Sequence, residues 1–205
     1  MIMKYKAIPF DADGLIIHSP RFSERLQKEY GITWETLKPF FQGPFQECKI
    51  GKADLKNELA KTMGAWDWKD SVDALLAFLF QGDVVDEEIK NLVSTLRQDG
   101  VRCYLATNQE EYRERYLENE LRLNEIFNGF FVSARLGYLK NDPRFFEEVM
   151  ANLNEASINT KSMIREREEI LFVDHDKENI DAAEVMELST HTFQDIQTFK
   201  NFLKK

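Results

Sequence analysis

The chain has 205 residues, of which 43% are hydrophobic and 31% are charged, so neither a disordered nor a fibrous protein is expected. Asp and Glu number 36 against 27 for Lys and Arg, and the formal charge of -9 argues against a nucleic-acid partner. No stretch approaches the ~20 apolar residues of a membrane-spanning helix, and the first residues lack the pattern of a signal peptide. Cys48 and Cys103 have no metal-ligand spacing and are predicted to be reduced thiols. We therefore expect a cytoplasmic protein that binds no membrane, with one large domain or one domain that carries an insertion.

The first predicted strand ends in an acidic motif, Asp11-Ala12-Asp13-Gly14. Aspartate at the end of a strand is often only a helix cap, so the motif needs support from the rest of the chain.

The segment from 18 to 83 shows helical patterns and no strand pattern. Short helices are predicted at 21–31, 34–43, 52–64 and 68–83, separated by glycines. We interpret the segment as an all-helical insertion after the first strand. Its aromatic residues could line a ligand pocket, but packing in the core of the insertion is the preferred interpretation. They are Trp34, Phe40, Phe41, Phe45, Trp66 and Trp68.

From residue 84 onward, predicted strands and helices alternate, which is the pattern of a parallel sheet with crossover helices. The first of these helices is expected to begin after Asp86, a good N-cap residue, and to end at Gly100. A charged run at 158–169 is predicted to be a solvent-exposed connection. We therefore predict a doubly wound parallel, Rossmann-like α/β sheet flanked by helices. Its further strands are expected at 101–108, 129–134, 169–176 and 188–193, and its further helices at 110–121, 143–153, 177–187 and 195–205.

Polar or charged residues follow the predicted strands at their carboxyl ends. In an open parallel sheet, ligands bind beyond these ends, where the strand order reverses. Because the strand ends meet at one rim, the residues there are expected to form one site. They are Asp11 and Asp13 after the first strand, Thr107 and Asn108 after the second, Ser133 leading to Lys140 after the third, and Asp174, His175 and Asp176 after the fourth.

In chain order, these residues resemble the ordered motifs of the haloacid dehalogenase superfamily. The motifs are Asp-Ala-Asp-Gly at 11–14, Thr-Asn at 107–108, Gly-Tyr-Leu-Lys at 137–140 before a helix headed by proline, and Phe-Val-Asp at 172–174. The resemblance covers residues 1–17 and 84–205, and it implies that these form the core domain while 18–83 form a mobile cap. The short helical cap is similar to that of the sugar-phosphate phosphatase branch.

The resemblance implies a role for each aspartate of the first motif. Asp11 would be the nucleophile, which attacks phosphorus in line and forms an aspartyl-phosphate. Asp13 would protonate the leaving oxygen and later take a proton from the water that cleaves the intermediate. Crowding by the other carboxylates would help to keep Asp13 protonated when it acts as an acid.

The same resemblance implies which residues bind the phosphoryl group. Thr107 and Asn108 would donate hydrogen bonds to its oxygens, and Lys140 would offset the charge that develops there. Gly14 would let the backbone turn tightly beside the phosphate.

A charge count at the rim indicates that a cation takes part. Four aspartates and one lysine give a net charge of -3 before a substrate binds. Two like charges ~4 Å apart repel by ~4 kcal/mol at an effective dielectric constant of ~20, so an anionic phosphate needs a cation nearby. Oxygen ligands favour Mg²⁺. The residues counted are Asp11, Asp13, Asp174, Asp176 and Lys140.

The predicted metal ligands are Asp11, Asp13, Asp174 and His175. The phosphatase relatives usually have a second, metal-binding acid in the place of His175. Several hypotheses follow: Asp174 or Asp176 supplies the missing oxygen, His175 binds a softer ion such as Mn²⁺, or His175 only neighbours the ligands.

These features predict a metal-dependent phosphatase, a monomer or homodimer, that hydrolyses a small phosphorylated metabolite such as a sugar phosphate. Lys49 and Lys52 could reach a second anionic group, although solvated surface positions are preferred. Two alternatives stay open. One is a phosphomutase, which would differ in its cap, and the other, suggested by His175, is an inactive homologue that binds a ligand or partner. Metal-free dehalogenation is disfavoured because that branch usually lacks an acid at the place of Asp13. A phospho-signalling receiver is disfavoured by the insertion after the first strand.

Overall fold

The computed structural model describes residues 4–155 and 164–204, so residues 158–163 of the predicted charged connection lie outside the described part. The strands are β1 (Ala7–Phe10), β2 (Ile17–His18), β3 (Val84–Val85), β4 (Arg102–Thr107), β5 (Phe130–Val132), β6 (Leu171–Asp174) and β7 (Ser189–Thr192). Five of them form a central sheet in the order β5-β4-β1-β6-β7, and all of its pairs are parallel. The predicted doubly wound parallel α/β sheet is confirmed.

The strand order reverses at β1. The chain runs from β1 to β4 and β5 on one side, and it then crosses back to place β6 and β7 on the other side. Phe10 pairs with both Leu105 of β4 and Val173 of β6. Ligand crevices of open parallel sheets form at such a reversal, beyond the carboxyl ends of the strands. The ends of β1, β4 and β6 therefore define the place to look for a site.

Between β2 and β3, a stretch that the structure describes throughout, all the regular elements are helices, as predicted. They are α1 (Phe22–Tyr30), α2 (Trp34–Gln42), α3 (Pro44–Lys49), α4 (Leu55–Thr62) and α5 (Val72–Phe80). The prediction missed α3, where Pro44 opens a new helix because its fixed φ and missing N–H suit a first turn. β2 pairs antiparallel with β3, so the two ends of the helical segment lie side by side. The division into a core of 1–17 and 84–205 and a cap of 18–83 stays a prediction, and we keep the name cap for the helical segment.

The cap has its own apolar cluster, which includes Leu26, Leu37, Leu59 and Leu75. The interpretation of its aromatic residues as packing residues holds for those that are buried. Phe40, Trp66 and Trp68 are buried in this cluster, whereas Trp34 is exposed. The remaining two, Phe41 and Phe45, are partly buried against the same cluster, and they also line a cavity between the cap and the sheet.

Helices cover both faces of the central sheet. They are α6 (Glu87–Gln98), α7 (Glu111–Asn119), α8 (Leu123–Ile126), α9 (Ser133–Leu136), α10 (Pro143–Glu155), α11 (Lys177–Val185) and α12 (Ile196–Phe202). Because successive side chains of a strand point to opposite faces, Ile8 packs in one apolar cluster with Phe199, and Ala7 packs in another with Phe146. The carboxylate of Asp86 caps α6 by accepting from two backbone N–H groups, as predicted.

The short helices α8 and α9 and a 3₁₀ turn at Arg167–Glu169 were not predicted, since each is too short to show a helical period. Among the described residues, no helix is both long and apolar enough to span a bilayer.

Candidate active site

Asp11 follows the last residue of β1, and its backbone N–H donates to the carbonyl of Val173 in β6 at 2.8 Å. Its buried carboxylate accepts a hydrogen bond from the ammonium of Lys140, which also donates to Oδ2 of Asp174 at 2.8 Å. Burial is the largest single effect on Asp11 and raises its pKa, but the charge of Lys140 and the hydrogen bonds from His175 and Lys140 together hold that pKa below its ordinary value. The carboxylates of Asp11 and Asp174 likewise overcome burial and raise the pKa of Lys140. Asp11 and Lys140 therefore hold each other in their charged forms.

Asp174, the last residue of β6, is fully buried and has a partner for each oxygen. Its Oδ1 accepts from the backbone N–H of Asp176 at 2.8 Å, and its Oδ2 accepts from Nδ2 of Asn179 at 3.0 Å as well as from Lys140. Asn179 is itself buried in the first turn of α11. The sequence analysis missed it, because a single asparagine in a helix belongs to no motif. Its position just after the strand end that carries Asp174 was the available signal.

The imidazole of His175 contacts the carboxylate of Asp11, the predicted nucleophile. Its Nδ1 is 3.0 Å from Oδ2 of Asp11 and 3.8 Å from Oδ1 of Asp174. The hydrogen bond to Asp11 raises the pKa of His175 above its ordinary value, against the effect of its partial burial. Gly14, which has φ 78°, lies beneath the ring, and an added Cβ there would be 3.5 Å from His175 Cε1. The backbone beside Gly14 can thus approach the imidazole closely.

A group of possible metal ligands is formed by Asp11, Asp174 and His175, whose ligand atoms all lie within 4.8 Å of one another. Two carboxylates and an imidazole fit a divalent cation, and the imidazole suits Mn²⁺ better than it suits Mg²⁺. Within the described residues, the carboxylate of Asp13 is not part of this group. Asp176 is also outside it, since its carboxylate caps α11. Among the hypotheses on the fourth motif, the geometry favours Asp174 and His175 over Asp176.

The carboxylate of Asp13 is contacted by Arg113 of α7 and by Gln109 of the loop that precedes this helix. Gln109 donates to its Oδ2, and Nη2 of Arg113 lies 3.3 Å from its Oδ1. Burial raises the pKa of Asp13, the charge of Asp11 adds to this rise, and Arg113 opposes it. A raised pKa keeps a proton available, as a general acid requires. Gln109 directly follows the Thr-Asn motif but belongs to no motif itself, so the sequence analysis missed it.

Arg113 connects Asp13 to the end of the cap. Its buried guanidinium forms an ion pair with Asp83, which immediately precedes β3 and has only 2% of its side chain exposed. One guanidinium therefore contacts both the predicted general acid and the segment through which the chain returns from the cap. Arg113 and Asp83 were not predicted, because residues 30 positions apart show no local pattern.

Thr107 and Asn108 lie at the end of β4, next to Asp11. Thr107 is buried, and Oδ1 of Asn108 accepts from the backbone N–H of Lys140 at 2.8 Å. Asn108 thus positions the loop that carries Lys140, and its Nδ2 is the atom that can donate to a phosphoryl oxygen. Ser133, also expected at the rim, instead donates to the carbonyl of Lys49 in the cap at 2.6 Å. The hydroxyl of Ser133 therefore holds the cap rather than a phosphate.

A cavity of about 460 Å³ lies beside Asp13, and we call it the cap cavity. On the core side it is lined by Asn108, Gln109 and Arg113, and Lys49 is one of the cap residues that line it. The predicted general acid therefore opens onto a space large enough for a small molecule.

Comparisons with known proteins show which family and which solved structures the chain is similar to. The sequence model of haloacid dehalogenase-like hydrolases matches residues 5–186. No curated protein matches the chain significantly.

Solved structures share the fold over nearly the whole chain. A HAD family enzyme from Bacteroides thetaiotaomicron, in a magnesium complex, has a TM-score of 0.78 at 18% identity and covers 98% of this chain and 100% of its own. A predicted HAD-like hydrolase from Porphyromonas gingivalis has a TM-score of 0.75 at 22% identity, with 98% and 99% covered. The L-2-haloacid dehalogenase from Xanthobacter autotrophicus has a TM-score of 0.64 at 16% identity, with 91% and 76% covered. From the family match, which extends over most of its length, the chain belongs to the haloacid dehalogenase-like hydrolases.

Proposed function

We propose that this hydrolase is a metal-dependent phosphatase that acts on a small phosphorylated metabolite through an aspartyl-phosphate intermediate. The observation that carries the proposal is the difference between two neighbouring carboxyl groups. Lys140 and His175 together hold the pKa of Asp11 below its ordinary value despite burial, whereas burial raises the pKa of Asp13. A nucleophile has to be ionised and a general acid has to be protonated, so each aspartate suits its role.

The reaction divides into two steps. First, a carboxylate oxygen of Asp11 bonds to phosphorus while the ester P–O bond breaks, and Asp13 gives its proton to the departing alkoxide. Then the ionised Asp13 takes a proton from a water molecule, whose oxygen bonds to phosphorus as the bond to Asp11 breaks. The products are an alcohol and inorganic phosphate, and both aspartates return to their starting states.

The phosphoryl oxygens would be bound by groups at the ends of β1 and β4. Lys140 offsets their charge, and Thr107 and Asn108 are the donors at the end of the neighbouring strand. These groups are fixed by the sheet and by the bond from the backbone of Lys140 to Asn108, so little reorganisation is needed when charge develops.

Asp11, Asp174 and His175 would hold the metal ion. A divalent cation bound there offsets the combined charge of the phosphate and the carboxylates. A solved structure of the enzyme from Bacteroides thetaiotaomicron contains magnesium and inorganic phosphate, which supports Mg²⁺ here. The imidazole of His175 supports Mn²⁺, so both ions belong in the assay.

The contact between His175 and Asp11 favours a second candidate function. One oxygen of Asp11 is 3.0 Å from the imidazole and is therefore already engaged. A homologue that binds a phosphorylated ligand or a partner without turning it over could keep such an arrangement.

Release of inorganic phosphate tests the proposal. The wild-type protein is assayed with sugar phosphates, other small phosphate monoesters and an aryl phosphate, each with Mg²⁺ or Mn²⁺. We expect metal-dependent release from at least one substrate and its loss in Asp11→Asn. Asp181→Asn, an exposed change in α11, is the matched control that keeps activity. Binding of inorganic phosphate without release from any member of the panel would favour the second candidate.

We also propose that the protein is cytoplasmic and that its partner is a small phosphorylated substrate rather than nucleic acid or a membrane, with the chain acting as a monomer or homodimer. The formal charge of -9 supports the proposal that nucleic acid is not a partner. Cys48 and Cys103 are buried and not joined in a disulfide, which suits a reducing compartment.

A further inference from the structure

The cap cavity beside Asp13 has an apolar wall. Burying an apolar group there is favourable, whereas a hydroxyl placed against this wall would lose its hydrogen bonds to water. The cavity therefore suits an alcohol with an apolar body. The wall consists of Phe22, Phe41, Phe45, Leu55, Leu79 and Phe80.

The acidic groups at the cap cavity already have partners. Asp83 pairs with Arg113, whose guanidinium also contacts Asp13. The carboxyl group of Glu110 accepts from the first backbone N–H groups of α7. These acids are therefore poor candidates to bind a cationic substrate.

The two cations on the cap side differ. Arg21 is exposed and lies 3.4 Å from a carboxylate oxygen of Glu24. Lys49 is half-buried, and across the described parts of the chain no carboxylate lies within ion-pair distance of its ammonium. Burial lowers the pKa of Lys49, and no neighbouring acid counters this effect. An anion beside the ammonium would restore the interactions that burial removes.

The position of Lys49 is fixed relative to the core. Its carbonyl accepts from the hydroxyl of Ser133 at 2.6 Å, and its ammonium lies 6.0 Å from the centre of the Phe45 ring, part of the apolar wall. Two residues later, Gly51 packs so closely on the carbonyl of Ala134 that an added Cβ would overlap it. The backbone at Lys49 is thus held against the core, and the side chain of Lys49 lines the cap cavity.

From these observations, we propose that Lys49 binds a second anionic group of the substrate. The substrate class is then a phosphate monoester whose alcohol combines an apolar, ring-sized body with a carboxylate or a second phosphate. This proposal rests on the proposed phosphatase function and adds the substrate class to it. Lys49 acts on specificity and takes no part in the transfer of the phosphoryl group.

Paired ligands test the anion site separately from turnover. Calorimetry with Mg²⁺ present compares the binding of benzylphosphonate and 4-carboxybenzylphosphonate, neither of which can be hydrolysed. Phosphate release compares phenyl phosphate with 4-carboxyphenyl phosphate. Because a hydrogen bond to a charged group contributes about 1.5–3 kcal/mol, the carboxylate is expected to improve binding and kcat/KM by at least about tenfold.

The variants Lys49→Met and Lys52→Met complete the experiment. Lys52 is exposed and close in sequence, so Lys52→Met is expected to keep the preference for the carboxylated member of each pair. Lys49→Met is expected to reduce the ratio of affinities, and of kcat/KM values, between the carboxylated and the plain member to near one. Equal ratios in the two variants, no preference in the wild type, or no binding of either phosphonate would overturn the anion site. A preference in phosphonate binding that depends on Lys49, without phosphate release from either ester or from any member of the substrate panel, would support the anion site and contradict only the phosphatase function.

Discussion

The Nδ1 atom of His175 lies 3.0 Å from Oδ2 of Asp11, so the residue that stands where relatives usually have a metal-binding acid contacts the proposed nucleophile. The same nitrogen is 3.8 Å from Oδ1 of Asp174. A metal ion held by these three residues would have one imidazole ligand, which sets this site apart from an all-oxygen magnesium site. The identity of residue 175 is therefore expected to decide which ion supports activity best.

Replacement of His175 by aspartate is expected to shift the metal preference toward Mg²⁺, because an oxygen ligand replaces a nitrogen ligand. The Mg²⁺ concentration that gives half-maximal phosphate release should fall by about tenfold, the lower end of typical effects around metal sites. Metal titrations of activity measure this. His18→Asn, which changes an exposed histidine of β2, serves as the control. Unchanged Mg²⁺ and Mn²⁺ affinities in His175→Asp would show that His175 is not a ligand.

The ion pair between Arg113 and Asp83 is expected to contribute strongly to stability because 8% and 2% of the two side chains are exposed. Arg113→Met leaves the carboxylate of Asp83 buried without a cation, which should lower the free energy of unfolding by about 3–5 kcal/mol. The double variant Arg113→Met with Asp83→Asn removes that charge and should recover most of the loss. Urea denaturation gives both values.

An exposed ion pair within α7, the helix that carries Arg113, provides the comparison. Arg115 pairs with Glu111, but 58% and 61% of these side chains are exposed. Arg115→Met should therefore change the free energy of unfolding by less than about 1 kcal/mol. If Arg113→Met were no more destabilising than Arg115→Met, the buried pair would not hold the end of the cap as inferred.

The sequence predicted the part of the site that follows from topology. Asp11 and Asn108 follow strands of a parallel sheet and Asp174 ends one, and because parallel strands end at the same rim, knowing the strands was enough to bring these three residues together. Lys140 lies beyond α9, and its place at the rim was predicted from the order of the motifs along the chain. The alternation of apolar patterns gave the strands, and the strand order of the sheet then placed Asp174 beside Asp11.

The contacts that tune the site could not be predicted in this way. Arg113 of α7 and Gln109 of the loop before it reach Asp13, and Asn179 reaches Asp174 from α11. Each is a single polar residue. Such residues have no period or spacing of their own, because their partners lie on other elements. The pairing of Arg113 with Asp83 depends further on how the cap returns to the sheet, which no local pattern records.

Glu110 is expected to make stability depend on pH. This buried residue caps α7, and burial raises its pKa from 4.5 to about 7. Between these values the folded state binds more protons than the unfolded state, so the free energy of unfolding falls as pH rises from about 4.5 to 7. Glu110→Gln removes this titration. The loss of stability between pH 5 and pH 8 should then be smaller than in the wild type, by on the order of 2 kcal/mol.

The comparison of slopes isolates the effect of Glu110, because Gln also weakens the cap at every pH. Urea denaturation at several pH values supplies the slopes. Glu111→Gln, which changes the exposed neighbouring acid, should retain the wild-type slope. A Glu110→Gln slope equal to that of the wild type would mean that Glu110 is ionised in the folded protein throughout this range.

Alanine substitutions at Gly51 and Gly31 separate the cost of a left-handed backbone conformation from the effect of a steric clash between the cap and the core. Gly51 has φ 71° and Gly31 has φ 72°, so alanine at either position adopts a left-handed conformation that costs about 1 kcal/mol. An added Cβ at Gly31 meets nothing within 4 Å, whereas at Gly51 it would overlap the carbonyl oxygen of Ala134 in α9. Only the change at Gly51 should therefore move the cap away from the core.

Gly51→Ala is expected to lower kcat/KM for phosphate release, because the displaced cap carries Lys49 and Phe45 away from Asp13. Misplacement by about 1 Å can reduce a rate by on the order of 100-fold, so a loss of 10- to 100-fold is expected. Gly31→Ala should lose a similar ~1 kcal/mol of stability from its conformation and keep its kinetics. Steady-state kinetics and urea denaturation of both variants test the difference. Equal kcat/KM values would show that the position of the cap does not depend on the contact between Gly51 and Ala134.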